Sequence, residues 1–179
     1  PFDLKCICPL HGPVLDENLG YYLNLYNIWS SYEVESEGVV IAYTSVYGNT
    51  KEAVEILADE LKNAGCKKVV VNDLARCDMA EAVEDAFRYG KIILATTTYN
   101  GDLFPFMREF INELTERGYK NRKIGIVENG SWAPVVKNKI AKSFENSKEI
   151  TFAENIVTIH SAVKPENIEQ IKALAKEMA

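Results

Sequence analysis

The chain has 179 residues, 47% hydrophobic and 26% charged, with a net charge of −6 and a pI near 5.1. That is enough for one globular domain with a short appendage; the acidic balance excludes a non-specific nucleic-acid binder, which needs a basic footprint, and no apolar run nears the roughly 18 residues of a membrane span. The start, "PFDLKCICPL", lacks an initiator Met and a signal-peptide pattern, and four cysteines (Cys6, Cys8, Cys66, Cys77) make no disulfide framework, so a processed or excised chain in a reducing cytoplasm is expected.

Residues 1–37 read as an appendage. "GYYLNLYNIWSSYEVE" is aromatic-rich and helix-like before turning acidic. It is either a helix on the edge of the following domain or a linker, with "ESEG" as the junction. Tyr21, Tyr22, Tyr26 and Trp29 read as packing residues, and Glu33, Glu35 and Glu37 as a solvated linker.

From residue 38 to 179 the pattern alternates. Val39 to Tyr43 is short, β-branched and apolar, as a buried strand requires. Thr50 to Ala64 carries Ala53, Val54, Leu57, Ala58 and Leu61 at helical spacing, with Gly65 as its stop. Val69–Val71 is a second strand, and Ala80 to Tyr89 a helix closed by Gly90. "KIILATTT" is a third strand; Phe104 to Arg117 is a helix with Pro105 in its first turn, where proline is tolerated. "KIGIVEN", the helix Ala133 to Phe144, "ENIVTIH" and the helix Pro165 to Met178 complete the series. Five strands alternating with five helices predict an α/β, doubly wound, open five-stranded parallel sheet. Its common strand order is 2-1-3-4-5, with a ligand crevice beyond the carboxyl ends of strands 1 and 3.

Three strand ends carry the chemistry. Thr44-Ser45-Val46-Tyr47-Gly48-Asn49-Thr50 lies where the first strand becomes a helix. A helix N-terminus offers unpaired N–H groups and partial positive charge, so it favours an anion. The hydroxyls of Thr44, Ser45 and Thr50 and the Asn49 amide add donors, and Gly48 lets the backbone bend. The competing reading is an ordinary cap made by Asn49 or Thr50; the number of donors favours a phosphate site. It is neither a Walker loop nor a G-x-G-x-x-G fingerprint, and Lys51 reads as a solvated first-turn residue. The third strand ends in Thr96-Thr97-Thr98-Tyr99-Asn100-Gly101-Asp102, with a tight turn at Asn100-Gly101 and an aromatic at the crevice mouth. The fourth ends in Glu128-Asn129-Gly130-Ser131-Trp132-Ala133-Pro134, where Trp132 either stacks on a planar ligand or packs on its own helix. Together they suit a phosphorylated aromatic ligand.

Residues 38–179 resemble a flavodoxin-type FMN domain: "TSVYGNT" is similar to that family's phosphate loop, and "TTTYNGDLFP" and "ENGSWAP" sit where its two flavin-ring loops belong. The resemblance implies a flavodoxin-like fold binding FMN. Thr44, Ser45, Val46, Tyr47, Gly48, Asn49 and Thr50 would surround the phosphate, and Thr97, Thr98, Tyr99, Asn100 and Gly101 would run along the ring. Asn129, Gly130, Ser131 and Trp132 would lie at its other face or edge. "ENGSWAP" departs from the glycine-rich loop usual in the family.

"CPLHGPVL" followed by "YYLNLYNIWSSY" resembles the junction of flavodiiron proteins, in which a metallo-β-lactamase-like diiron domain precedes the flavin domain. The resemblance maps His11 onto the last metal ligand of that domain, whose remainder is absent; one histidine makes no diiron site, so no metal site is expected here. Cys6-x-Cys8 beside His11 has three ligands in six residues without partners elsewhere, a weak metal signal. His160 reads as structural, and Cys66 and Cys77 as small buried or loop residues.

The implied function is electron transfer. FMN would accept electrons from a rubredoxin-like protein, a reduced nicotinamide or a deazaflavin. It would pass them, in a full-length parent, to a diiron centre reducing O2 or nitric oxide. In that parent a head-to-tail homodimer brings the flavin of one chain near the iron of the other. The acidic setting disfavours an anionic reduced flavin, and the Asn100-Gly101 turn is placed to hydrogen-bond a ring nitrogen. Two rivals stay open: an NAD(P)H:quinone-type reductase, and a flavin-free interaction domain on the same fold.

Overall fold

The computed structural model describes residues 4–179, so the first three residues of the 1–37 appendage lie outside the described residues. The elements run α1 (Leu19–Ser31), β1 (Ser36–Tyr43), α2 (Asn49–Asn63), β2 (Val69–Asp73), α3 (Met79–Arg88), β3 (Tyr89–Tyr99), β4 (Asp102–Leu103), α4 (Pro105–Glu116), β5 (Arg122–Asn129), α5 (Val136–Ser143), β6 (Ile150–Ile159) and α6 (Pro165–Met178). The parallel strands follow the order β2-β1-β3-β5-β6, which is the expected 2-1-3-4-5 path, and β4 is a short antiparallel addition to β3.

The apolar strand runs exist because both sheet faces are covered. On one face Val39, Ile41 and Tyr43 pack with Leu57 and Leu61 of α2 and Ile171 and Leu174 of α6. On the other, Val40 and Ala42 pack with Ala82, Phe110, Leu114 and Ile140 from α3, α4 and α5. Parallel pairing points every strand's carboxyl end, and the loop after it, toward one edge.

Three local expectations are corrected. The helix expected to run to Tyr89 with Gly90 as its stop ends at Arg88, and Tyr89 and Gly90 open β3. Tyr89 is extended, buried and in register with Ser36. Gly90 serves a close approach instead: a Cβ there would sit 2.9 Å from Val34 Cγ2. The helix expected from Ala133 starts at Val136, because Pro134 disfavours helical backbone at the residue before it and Thr98 Oγ1 takes the Val135 N–H at 3.1 Å. The hairpin partner β4 was not expected at all.

The appendage is also corrected. Its helix exists, but α1 buries no residue. Tyr21, Tyr26 and Trp29 are exposed rather than packed on the sheet; their rings meet neighbours in the helix, Tyr21 against Tyr22 and Tyr26 against Trp29. Nor are Glu35 and Glu37 a free linker, though Glu33 is exposed as expected. Glu35 accepts from Trp29 Nε1 at 2.7 Å and pairs with Arg88 at 3.3 Å, and Glu37 pairs with Lys67.

What ties this segment down is Arg122, 3% exposed at the start of β5. Its guanidinium donates to the carbonyls of Tyr32 (2.8 Å), Glu33 (3.2 Å) and Phe87 (2.6 Å), joining the α1–β1 connection to α3 and the sheet. Burial lowers its pKa, the Tyr119 ring opposing. Among the described residues no helix is long and apolar enough to cross a membrane.

Candidate functional site

The carboxyl ends of β1, β3 and β5 open into a cleft of about 260 Å³. One wall is the loop from β1 into α2, contributing Ser45, Val46, Tyr47, Asn49 and Thr50. Thr97, Thr98 and Tyr99 follow from β3, and Asn129, Gly130 and Ser131 from β5. Ser161, from the loop after β6, completes it.

At the α2 end the polar groups are arranged to donate. The N-cap position is Gly48, at φ 95°, and no side chain caps the helix, so capping by Asn49 or Thr50 is not realised. Ser45 Oγ reaches under the turn instead, accepting from the N–H of Gly48 at 3.1 Å and of Lys51 at 3.3 Å. Thr50 Oγ1 accepts from Asn129 Nδ2 at 3.4 Å. Each hydroxyl accepts from the protein and keeps its own proton to give elsewhere. The N–H groups of Asn49 and Thr50 lie in the first turn, where no helical acceptor exists, at the positive end of α2. Lys51 is turned to Glu55, 3.8 Å away, on an exposed surface. Neutral donors and a helix terminus therefore make this a place for an anion such as a phosphate monoester.

Thr44 lies beneath the wall. It is fully buried, and its hydroxyl meets that of Thr96 at 2.6 Å between β1 and β3. Neither residue lines the cleft, so Thr44, expected around the phosphate, serves instead to join β1 to β3. Nearby, burial and the Asp73 carboxylate, whose Oδ2 accepts from Tyr43 at 3.1 Å, push the Tyr43 hydroxyl up to about 12.

The other end carries an aromatic, Tyr99. Tyr99 is half-exposed, with its ring edge-on to Phe104 at 5.4 Å. Asn100 (φ 50°) and Gly101 (φ 69°) form the two-residue turn from β3 into β4, the positive φ pair that the twist of a tight hairpin needs. Both lie at the turn, beyond the cleft wall. Asp102 holds this hairpin: its Oδ1 accepts from the Leu103 N–H, and Arg108 and Lys139 lie 3.1 Å and 3.6 Å from its carboxylate. The Leu103 N–H and these cations keep its carboxyl below the usual range against partial burial.

Trp132 stands in solvent, 96% exposed, on the loop between β5 and α5. Neither stacking across the cleft nor packing on α5 is what its side chain does here. His11 is on an exposed loop, and no group of three or more metal-ligating side chains gathers among the described residues. His160 Nδ1 donates to the Gly130 carbonyl at 3.2 Å, a structural bond between the loops after β5 and β6.

Ser161 was missed. Ser161 sits at φ 70°, and its hydroxyl meets Ser131 Oγ at 3.0 Å. The signal for it was topological: all parallel strands end on the same edge, so the loop after "ENIVTIH" belongs to the crevice as well.

A larger hollow of about 900 Å³ lies at the amino ends of the strands, around Gly38, Gly90, Lys91 and Arg122. Its cations are already engaged, Lys67 by Glu37, Lys91 by the Ala179 carbonyl and Lys123 by Glu177 at 2.9 Å. The smaller, donor-rich cleft has the better chemistry for a ligand.

Residues 40–163 match the flavodoxin-domain family. An uncharacterised protein of Methanocaldococcus jannaschii is 22% identical over 178 residues, covering 99% of this chain and 45% of its own length. Among solved structures, the rubredoxin oxygen:oxidoreductase of the anaerobe Desulfovibrio gigas superposes with a TM-score of 0.88 at 18% identity, covering 97% of this chain and 43% of that one. The flavodiiron protein of Giardia intestinalis gives 0.88 at 19% identity, over 98% and 43%. This chain therefore spans less than half the length of these relatives and matches their flavodoxin-like part. The chain belongs to the flavodoxin-domain family, whose cofactor is FMN.

Proposed function

We propose that this chain is an FMN-binding electron-transfer domain, residues 38–179, joined through residues 1–37 to a diiron domain in a full-length parent. There the electrons would reduce O2 or nitric oxide. The observation that carries the reading is the cleft at the ends of β1, β3 and β5. It has a cation-free set of donors at the α2 N-terminus and an aromatic-edged slot beside it.

Bound FMN supplies one- and two-electron redox chemistry. The protein's part is to hold and orient. Ser45, Asn49 and Thr50 would take the phosphate by their leftover protons and first-turn N–H groups. Tyr99 would lie along the ring, and the Asn100-Gly101 turn beside the cleft would offer it a hydrogen bond. Tyr47, exposed on the cleft wall, and Trp132, exposed on the loop after β5, are the residues an incoming ring or donor protein would cover. The electron donor is of the rubredoxin, nicotinamide or deazaflavin class, the parent is a head-to-tail homodimer, and the setting is the reducing cytoplasm.

The test is titration of FMN into the apo-protein, followed by flavin fluorescence and absorbance. Quenched fluorescence and sharpened flavin bands at stoichiometric FMN are expected. Folded apo-protein that ignores FMN at millimolar concentration overturns the reading in favour of a flavin-free interaction domain. Rapid oxidation of NAD(P)H with a quinone by the loaded chain alone would instead make it a reductase.

A further inference from the structure

Before α1 the chain makes a small antiparallel pair. Ile7 N–H donates to Leu15 O at 2.8 Å, and Leu15 N–H donates to Ile7 O at 2.9 Å. This double bond fixes Ile7 in extended backbone, and Pro9 restricts Cys8 to extended backbone as well. Side chains alternate along such a segment, so the residues on either side of Ile7 share the face opposite to it. Those residues are Cys6 and Cys8. Their sulfurs lie 3.8 Å apart, and both are exposed.

The other two cysteines differ in kind. Cys66 packs with the α2–α6 side of the sheet and Cys77 with the α3–α5 side, so the sheet separates them. Cys66 Sγ is also bonded to the Lys68 carbonyl at 3.2 Å.

From this geometry we infer that Cys6 and Cys8 form a redox-active dithiol that closes reversibly to an intramolecular disulfide on meeting a low-molecular-weight disulfide. The thiolate of one cysteine attacks a sulfur of the small disulfide, forming a mixed disulfide and expelling one small thiolate, which takes up a proton. The second cysteine gives its proton to water and attacks the first cysteine's sulfur, expelling the other small thiol. One S–S bond breaks and one forms; the protein loses two electrons and two protons, and the small disulfide gains them.

The second step is the one the structure favours. The attacking sulfur is held beside its target, so its effective concentration far exceeds that of any small thiol. Closing the gap to bonding distance asks for about 1.8 Å of approach between the sulfurs. Residues two apart in extended backbone stand about 6.6 Å apart, at the upper end of the disulfide range, so the backbone at Ile7 bends as the bond forms. The hydrogen bond and charge of Cys8 raise the Cys6 thiol, as expected of two sulfurs that resist ionising together. This inference does not depend on flavin binding.

The experiment treats the 179-residue chain with excess glutathione disulfide, then quenches, denatures, counts thiols and maps peptides by mass. Free thiols are expected to fall from four to two, with the peptide holding Cys6 and Cys8 lighter by two hydrogens, free of glutathione and restored by dithiothreitol. The Cys6→Ser and Cys8→Ser variants should each keep a glutathione adduct on the remaining cysteine. A stable adduct on both cysteines of the unmodified chain overturns the inference. So does pairing of either with Cys66 or Cys77, or no reaction at Cys6 and Cys8 while the single variants react.

Discussion

The Asn129 carboxamide holds both backbone groups of Ser161. Its Oδ1 accepts from the Ser161 N–H at 3.1 Å, and its Nδ2 donates to the Ser161 carbonyl at 3.0 Å. The same Nδ2 reaches Thr50 Oγ1 at 3.4 Å. One nearly buried side chain, 5% exposed, thus fastens the loop after β6 to the first turn of α2. Ser161 needs the grip, since positive φ is costly for a residue with a side chain.

Asn129→Asp should therefore weaken FMN binding without unfolding the protein. The acceptor for the Ser161 N–H survives. The donor to Ser161 O and Thr50 is lost, and a negative charge appears beside the phosphate donors. An increase in Kd of roughly tenfold or more is expected, about 1.4 kcal/mol or above. Isothermal titration with FMN, alongside circular dichroism of the apo-protein, checks it. Unchanged affinity would mean that the β5–β6 clamp does not shape the cleft.

The donors at the α2 terminus can be separated from the ring slot by comparing FMN with riboflavin, which lacks the phosphate. Ser45→Ala and Thr50→Val each remove a hydroxyl whose proton is free for the ligand, and each such bond to a charged group is worth about 1.5–3 kcal/mol. FMN affinity should fall by roughly tenfold to a hundredfold while riboflavin affinity stays within about twofold. Equal losses for both ligands would show that the loop merely shapes the cleft. Ser45→Ala also leaves the Gly48 and Lys51 N–H groups without their acceptor, so a modest fall in Tm accompanies it.

How much of this was legible depends on distance along the chain. The residues from Thr44 to Thr50 are contiguous, and the strand order follows from alternating periodicities, so donor loop and crevice edge were both visible. Ser161 owes its place to Asn129, 32 positions earlier, and no local pattern announces that bond. Gly90 looked like a helix stop because the local signal is the same whether a glycine ends a helix or admits a neighbour; Val34 decided it. The two-residue β4 is too short to show a period. The aromatic residues of α1 read as packing residues because periodicity reports which residues share a face, not whether anything covers it.

Arg122 lies at the opposite end of the sheet from the cleft, and its replacement separates stability from binding. Arg122→Met keeps the buried stem but takes the charged donor from the carbonyls of Tyr32, Glu33 and Phe87, of which Tyr32 keeps Asn121 Nδ2 at 3.4 Å. An acceptor left unpaired away from water costs about 1–3 kcal/mol; Glu33 is exposed and Tyr32 keeps a donor, so a loss of about 2 kcal/mol is expected by urea denaturation. Arg122→Lys should rescue little, because one ammonium cannot span three diverging carbonyls. FMN affinity of the folded fraction should match that of the unsubstituted chain. A change in FMN affinity larger than about twofold would show that the two ends of the sheet are coupled.

The Glu177 carboxylate makes stability depend on pH in a predictable direction. Burial opposes its charge, but it accepts from the N–H groups of Glu154 and Asn155 at 3.0 Å each, from Asn155 Nδ2 at 2.8 Å, and pairs with Lys123 at 2.9 Å. These contacts outweigh burial and bring its pKa down from 4.5 to about 2. A carboxylate with a depressed folded pKa contributes stability that is complete above its unfolded value and is lost as pH falls through the folded one. The contribution should be full at neutral pH, begin to fade near 4.5 and be gone near 2. Glu177→Gln should lower the urea midpoint at neutral pH and lose that deficit as the solution is acidified through this window. A deficit of constant size across the window would assign the effect to the geometry of the Glu154–Asn155 backbone instead of to charge.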